Sequence, residues 1–222
     1  MIPQKLIIFD LDGTLYDLND VMSMSYQMQI DFFSEEMNMS KEEAKSFLAD
    51  HDVMPTVSKN SKSATELFQK MGIDKRKWSE YRESHFDVSK INTDKAVTES
   101  VVRQFSDLGI IVLLSSNAFS VIDRILKHIN ISSSIFNEVV CSDRFPYECS
   151  FTKIRAMQYL AEKYEIAYSD MYSIGDRFST DIRPILDLGG HGFLLSNPNS
   201  LDSIFDALKL GNFVFNDSFV YY

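Results

Sequence analysis

Cysteine is scarce in this 222-residue chain: Cys141 and Cys149 are the only two, and neither stands in metal-ligand company. A disulfide framework and a structural zinc site are therefore not expected, and both residues read as reduced thiols. No run approaches the roughly 18 apolar residues of a membrane span. No apolar signal segment precedes the first strand, so the expected location is the cytoplasm. Positive charge is the minority sign, with 22 Lys and Arg against 32 Asp and Glu, a formal charge of −10 and a pI near 4.8. Such a surface repels nucleic acid and anionic membrane over a Debye length, and neither is expected as a partner. A small polyanion held by a local metal or lysine is still compatible. Internal repeats and low-complexity runs are also missing. What remains is an ordinary globular chain whose 45% hydrophobic residues suffice for one large domain, or a core with an insertion.

The most informative segment present is Ile7-Ile8-Phe9-Asp10-Leu11-Asp12-Gly13-Thr14-Leu15. β-favouring residues end at two carboxylates one residue apart, and Gly13 lets the chain leave the strand at once. Both acids are then expected at the carboxyl end of a strand, where open α/β sheets bind ligands. Carboxylates this close repel each other unless a cation or a shared proton relieves them.

From Asn92 onward helical and strand patterns alternate. Lys95 to Leu108 carries a helical stripe of Val97, Val101, Val102, Phe105 and Leu108, with Gly109 expected as its C-cap. The run 110–114 reads as a central parallel strand ending at Ser115-Ser116-Asn117. A helix over 119–129, a strand over 138–141 and a helix over 152–164 are expected next. Then come a strand at 171–174 ending in Gly175-Asp176, a helix over 181–188, a strand near 192–195 and a helix over 201–210. This alternation implies a Rossmann-like parallel sheet covered on both faces. Between the first strand and Asn92, helical periodicity prevails. Ser40-Lys41-Glu42-Glu43 and Ser63-Ala64-Thr65-Glu66 have capping-box spacing, Gly72 closes the second helix, and Met22, Tyr26, Ile30 and Phe33 form one apolar stripe. The expected organisation is an α/β core of residues 1–15 and 92–222 with an inserted helical domain over 16–91. The aromatic tail from Phe213 to Tyr222 is expected in an edge strand or a subunit contact.

If the sheet is parallel, four segments meet at one edge with chemistry suited to phosphate. Asp10 is the candidate nucleophile, since a carboxylate can attack phosphorus and split one displacement into two. Asp12 is the candidate acid and base for the leaving alcohol and the water. Ser116, with Asn117 beside it, can hold a phosphoryl oxygen. Lys153, in the first turn of its helix and off its apolar stripe, can neutralise the transferring group. Asp176 can supply a carboxylate to a hard cation, and Asp181 can orient it or a metal-bound water. Mg²⁺ is the expected cofactor, because it takes oxygen ligands and bridges to phosphate.

Together these residues resemble the haloacid dehalogenase-like hydrolase superfamily. Asp10-Leu11-Asp12-Gly13-Thr14-Leu15 matches its first motif, Leu113-Leu114-Ser115-Ser116-Asn117 is similar to the second, and Gly175-Asp176 with Asp181 is similar to the fourth. The resemblance implies a helical cap of the first type between the first two motifs. It also implies that Asp10 is nucleophile and Mg²⁺ ligand, that Asp12 is acid/base and binds Mg²⁺ through its carbonyl, that Ser116 and Lys153 hold phosphate, and that Asp176 completes the metal site. The third motif departs from the family pattern. Phe145-Pro146-Tyr147-Glu148 lacks the lysine that many members place before the helix, and Lys153 takes that role inside the first turn. True dehalogenases lack the second aspartate, so Asp12 favours phosphoryl chemistry. The spacing of Leu15-Tyr16, the insertion and Ser116-Asn117-Ala118 is most similar to the pyrimidine 5′-nucleotidase group. The expectation is a Mg²⁺-dependent phosphatase of a small phosphomonoester, a nucleotide among the candidates, with specificity set by residues such as Tyr16, Asn19 and Tyr26. A phosphosugar mutase with the same nucleophile and a non-catalytic phosphate-binding module are the alternatives, and the oligomeric state is left open.

Overall fold

A computed structural model describes residues 5–53, 64–145, 151–211 and 219–222. The chain divides into two compact units, Met1–Leu18 with Ile91–Tyr222, and Asn19–Lys90.

The first unit starts with β1 (Lys5–Phe9), and among its described residues the second unit has helices and no strand: α1 (Asn19–Met37), α2 (Lys41–Asp50), α3 (Ala64–Lys70), α4 (Lys75–His85) and a 3₁₀ turn at Val88–Lys90. The Ser40 capping box forms, with the Ser40 hydroxyl accepting from the Glu43 N–H and the Glu43 carboxylate accepting from the Ser40 N–H. Ser63 lies outside the described residues, while Gly72 follows α3 at φ +80°. On α1 the buried positions are Val21, Met28, Ile30, Phe32 and Phe33. Met22 and Tyr26 are only partly buried, so the stripe expected from the sequence is rotated. Aromatic packing decides that rotation: Phe32 lies against Phe68, Trp78 and Tyr81, and Phe33 stacks on Phe47 and Phe68.

The remaining elements of the first unit are α5 (Glu99–Arg103), β2 (Gly109–Leu114), α6 (Phe119–His128), β3 (Glu138–Val140), α7 (Lys153–Tyr164), β4 (Met171–Gly175), α8 (Arg183–Asp187), β5 (His191–Leu195), α9 (Leu201–Leu210) and β6 (Phe219–Tyr221). The six strands form one sheet in the order β3-β2-β1-β4-β5-β6. Five are parallel and β6 runs antiparallel to β5. The aromatic tail thus ends in an edge strand, with Phe219, Phe193 and Tyr221 in ring contact.

β1 lies between β2 and β4, and its residues alternate between two cores. Leu6 and Ile8 join Val112, Leu114, Met157, Leu160, Met171 and Ile185 on the side of α7 and α8. Phe9 faces the other way, edge-on to Phe105, which in turn packs against Phe205 of α9. Burial on both faces explains why these strands are uniformly apolar.

Three expectations change. The long helix over 95–108 is broken into a 3₁₀ turn at Thr93–Lys95, α5, and a second 3₁₀ turn at Gln104–Asp107. Gly109 is not a helix cap but the first residue of β2, paired with Lys5. A side chain there would run into the Lys5 carbonyl, so the close approach of β1 requires glycine. The helix expected from Asp181 begins as a π-helical turn, Phe178–Ile182, and becomes α-helical only at Arg183.

Cys141 is buried and unbridged. Burial, with Asp143 beside it, pushes its thiol up to about 12, which makes it an inert core residue. Cys149 lies outside the described residues. Among the described residues no helix is long and apolar enough to cross a membrane.

Candidate active site

Register determines what can meet at the sheet edge. Phe9 pairs with Leu113 on one side and Ile174 on the other, so the chain leaves β1, β2 and β4 at the same level. Asp10 continues the ladder by one bond, its N–H donating to the Ile174 carbonyl at 2.9 Å. The chain then turns. Leu15 N–H closes on the Leu11 carbonyl at 3.0 Å, and Gly13 stands at φ +78°. A β-carbon at Gly13 would also collide with the Asp176 carboxylate. Gly13→Ala is therefore expected to destabilise the protein by at least about 1 kcal/mol, read as a lower urea midpoint with unchanged slope.

Lys153 is the first residue of α7, whose N-cap Thr152 accepts from the Arg155 N–H. Its ammonium donates to Asp10 Oδ1 and to Asp181 Oδ1, each at 2.6 Å. Lys153 and Asp10 side chains are 10% exposed and Asp181 only 2%, so these are interior ion pairs. Burial alone would lower the lysine, but the two carboxylates outweigh it and hold the ammonium above its ordinary range. Asp10 is pushed up to about 7, mainly by burial; Lys153 pulls it down, while Asp181 and Asp12 push it further up.

Asp181 is fully engaged. Besides Lys153, its Oδ1 accepts from the Thr180 hydroxyl at 2.9 Å and its Oδ2 from the Arg177 N–H at 2.9 Å. The Ser173 hydroxyl donates to its carbonyl at 2.7 Å. The π-helical turn turns the carboxylate back toward β4, a device with no sequence signal beyond the acid itself. Asp176 is the opposite case. Its Oδ1 is enclosed and has no hydrogen-bond partner, and burial followed by the charges of Asp181 and Asp10 raises its carboxyl well above the ordinary range. Asp10, Asp176 and Asp181 each bring a carboxylate oxygen within 4.8 Å of the others. An all-oxygen, carboxylate-rich donor set with one orphaned buried oxygen suits a hard divalent cation such as Mg²⁺.

Asp12 is half-buried. Asn117 donates its amide N–H to Asp12 Oδ2 at 2.8 Å, and the Tyr16 hydroxyl donates to Oδ1. The sequence reading placed Asn117 with the phosphate ligands; here its amide is turned onto Asp12. Ser115 is buried and its hydroxyl accepts from the Asn117 N–H at 3.2 Å, whereas Ser116 is exposed at the end of β2. Tyr16 lies in the same unit as the acids, not in the helical one that holds Asn19 and Tyr26. Sequence reasoning missed its contact with Asp12. The four-residue separation within a non-helical turn carries no periodic signal that could have revealed it.

The sequence matches the family described as haloacid dehalogenase-like hydrolase over residues 4–189. The chain belongs to this hydrolase family. A comparison with curated proteins finds no match. Among solved structures, the chain is similar to a HAD phosphatase from Thermococcus onnurineus, with 18% identity and a TM-score of 0.56 over 87% of this chain and 86% of that one. It is similar at 11% identity and a TM-score of 0.56 to a haloacid dehalogenase-like family hydrolase from Xanthomonas campestris, covering 94% and 97%. A third similar structure, from Haemophilus somnus, is described as a predicted phosphoglycolate phosphatase, with 17% identity and a TM-score of 0.54 over 89% and 87%. At these identities the likeness is one of fold, and the chemistry must be argued from the residues.

Proposed function

We propose that this hydrolase is a Mg²⁺-dependent phosphatase that cleaves a small phosphomonoester through an aspartyl-phosphate on Asp10. The observation that carries the reading is the buried Lys153 held between Asp10 and Asp181, with the orphaned Asp176 oxygen beside them. Lys153 takes Oδ1 of Asp10, which leaves Oδ2 for attack on phosphorus. Its charge offsets the negative charge that builds on the phosphoryl oxygens. Asp181 anchors Lys153 and, with only 2% of its side chain exposed, is a supporting group. Asp10 and Asp176 are then the carboxylates that would hold Mg²⁺, together with the Asp12 carbonyl. When bound, the cation screens the acids from one another and withdraws charge from the phosphoryl group. Ser116, exposed at the strand end, binds a phosphoryl oxygen. Asp12 delivers the proton to the leaving alkoxide and then takes one from the water that attacks the acyl phosphate.

The helical unit is the natural source of substrate selection, as a cap that excludes bulk water. The resemblance to the pyrimidine 5′-nucleotidase group makes nucleoside monophosphates the first candidate, and the name of the Haemophilus somnus neighbour makes phosphoglycolate the second. A screen of both classes with Mg²⁺ would assign the substrate. Hydrolysis of p-nitrophenyl phosphate by the purified protein tests the reaction class. Turnover is expected with Mg²⁺ and its loss with EDTA, and activity that persists in EDTA would refute the metal-assisted mechanism. Independently of activity, Mg²⁺ at a hundredfold excess over its Kd is expected to stabilise the fold by about 2.7 kcal/mol. That shift is read as a rise in Tm over the EDTA-treated protein.

A further inference from the structure

We infer that Tyr16 is a positioning residue that fixes the orientation of the Asp12 carboxylate for proton transfer. The inference rests on the phosphatase reading and adds to it a residue outside the acids, the serine and the lysine. Tyr16 is fully buried, a position phenylalanine would fill with no polar group to satisfy. Its hydroxyl is instead aimed at Asp12 Oδ1. The backbones of Asp12 and Tyr16 form a parallel bridge, so the ring and the acid are tied to the same turn. From a different strand end, Asn117 holds Oδ2 at 2.8 Å.

Two donors from two segments grip the two oxygens and stop the carboxylate from rotating about its Cβ–Cγ bond. Asp12 is nevertheless only half-buried, not enclosed like Asp181. Proton transfer demands that geometry, because an acid turned away from the bridging oxygen cannot follow the breaking bond. As the P–O bond breaks, the proton on Asp12 passes to the ester oxygen. In the second half, water attacks phosphorus, its proton returns to Asp12, and the bond to Asp10 breaks to release inorganic phosphate and the free carboxylate. Tyr16 transfers no proton in either half.

The test is Tyr16→Phe assayed on phenyl phosphate, whose leaving group needs a proton, and on p-nitrophenyl phosphate, whose leaving group does not. For phenyl phosphate kcat/KM is expected to fall roughly 10- to 100-fold, the worth of one hydrogen bond to a charged group. For p-nitrophenyl phosphate kcat/KM is expected to fall by less than about threefold. Its kcat drops further, because the second step is common to both substrates. In the Asp12→Asn background, Tyr16→Phe should cost nothing more, since the residue acts through Asp12. Crystals of Tyr16→Phe should show the Asp12 carboxylate turned. Equal losses of kcat/KM on both esters, a full additional loss in the Asp12→Asn background, or an unmoved carboxylate would overturn the inference and leave the phosphatase reading intact. A wild-type protein that hydrolyses neither ester would overturn the reading, and the inference with it. Should Tyr16→Phe fail to fold, Asn117→Ala removes the other donor and is expected to show the same leaving-group asymmetry; an even loss there overturns the inference as well.

Discussion

Asp10→Asn is expected to lower turnover of p-nitrophenyl phosphate by at least about 10⁴-fold while leaving the protein folded, as loss of the attacking carboxylate demands. Asparagine keeps the shape of the side chain but offers no carboxylate to phosphorus. The fold survives because burial penalises the Asp10 charge, which is why its carboxyl is pushed up to about 7. The neutral amide carries no such penalty, and Lys153 keeps its second partner, Asp181, at 2.6 Å. Steady-state kinetics together with a thermal melt separates the two effects. Residual turnover within tenfold of wild type would show that another group attacks, and the aspartyl-phosphate mechanism would be withdrawn.

Lys153→Met is expected to be damaging in both respects. The substitution leaves Asp10 and Asp181 buried beside each other without their cation, and breaking an interior ion pair in this way costs about 3–5 kcal/mol. The loss also acquires a pH dependence whose sign follows from linkage. A carboxyl whose folded pKa lies above its unfolded value binds a proton in the folded state that the unfolded chain releases. Stability therefore falls as pH rises from the ordinary 3.8 through about 7, the value for Asp10 with Lys153 in place. Lys153 pulls that value down, so its removal extends the window to higher pH. Urea denaturation of the EDTA-treated variant is accordingly expected to show a larger deficit at pH 8 than at pH 5. A midpoint equal to wild type at pH 8 would mean that Lys153 is not the counter-charge of these acids. Under the proposed mechanism activity should fall with stability, since the same ammonium is the group assigned to offset the phosphoryl charge.

The order of strands and helices in the core was largely legible in the sequence, because burial on two faces forces strands 4–6 residues long to be uniformly apolar and leaves helices with 3.6-residue stripes. Leu201 to Leu210 and Met171 to Gly175 are such segments, one matching its expected bounds and the other extending one residue further, to Gly175. The mistakes fall where tertiary contact overrides a local signal. Gly109 has the position of a helix cap, yet it is glycine because the β1 backbone lies against it. The stripe of α1 is turned by rings from α2, α3 and α4 that no window on α1 contains. The antiparallel sense of β6 depends on where the tail returns to the sheet, which three residues, Phe219–Tyr221, cannot encode.

The sequence by itself determined the chemical inventory and its level in the sheet. Acids at the ends of β1 and β4, a serine and asparagine after β2, and a lysine opening α7 stand at the carboxyl ends of parallel strands because strand polarity and the position of the turn residues are local properties. Which of those groups touch was decided only by the tertiary structure. Side-chain pairing depends on strand order, on the π-helical turn that aims Asp181, and on the turn after Gly13. Lys153 between Asp10 and Asp181, 143 and 28 residues away, and Asp12 between Tyr16 and Asn117, are contacts of that kind. They form because a buried charge must find a partner once water is excluded, and the partner is whichever polar group the fold brings within reach.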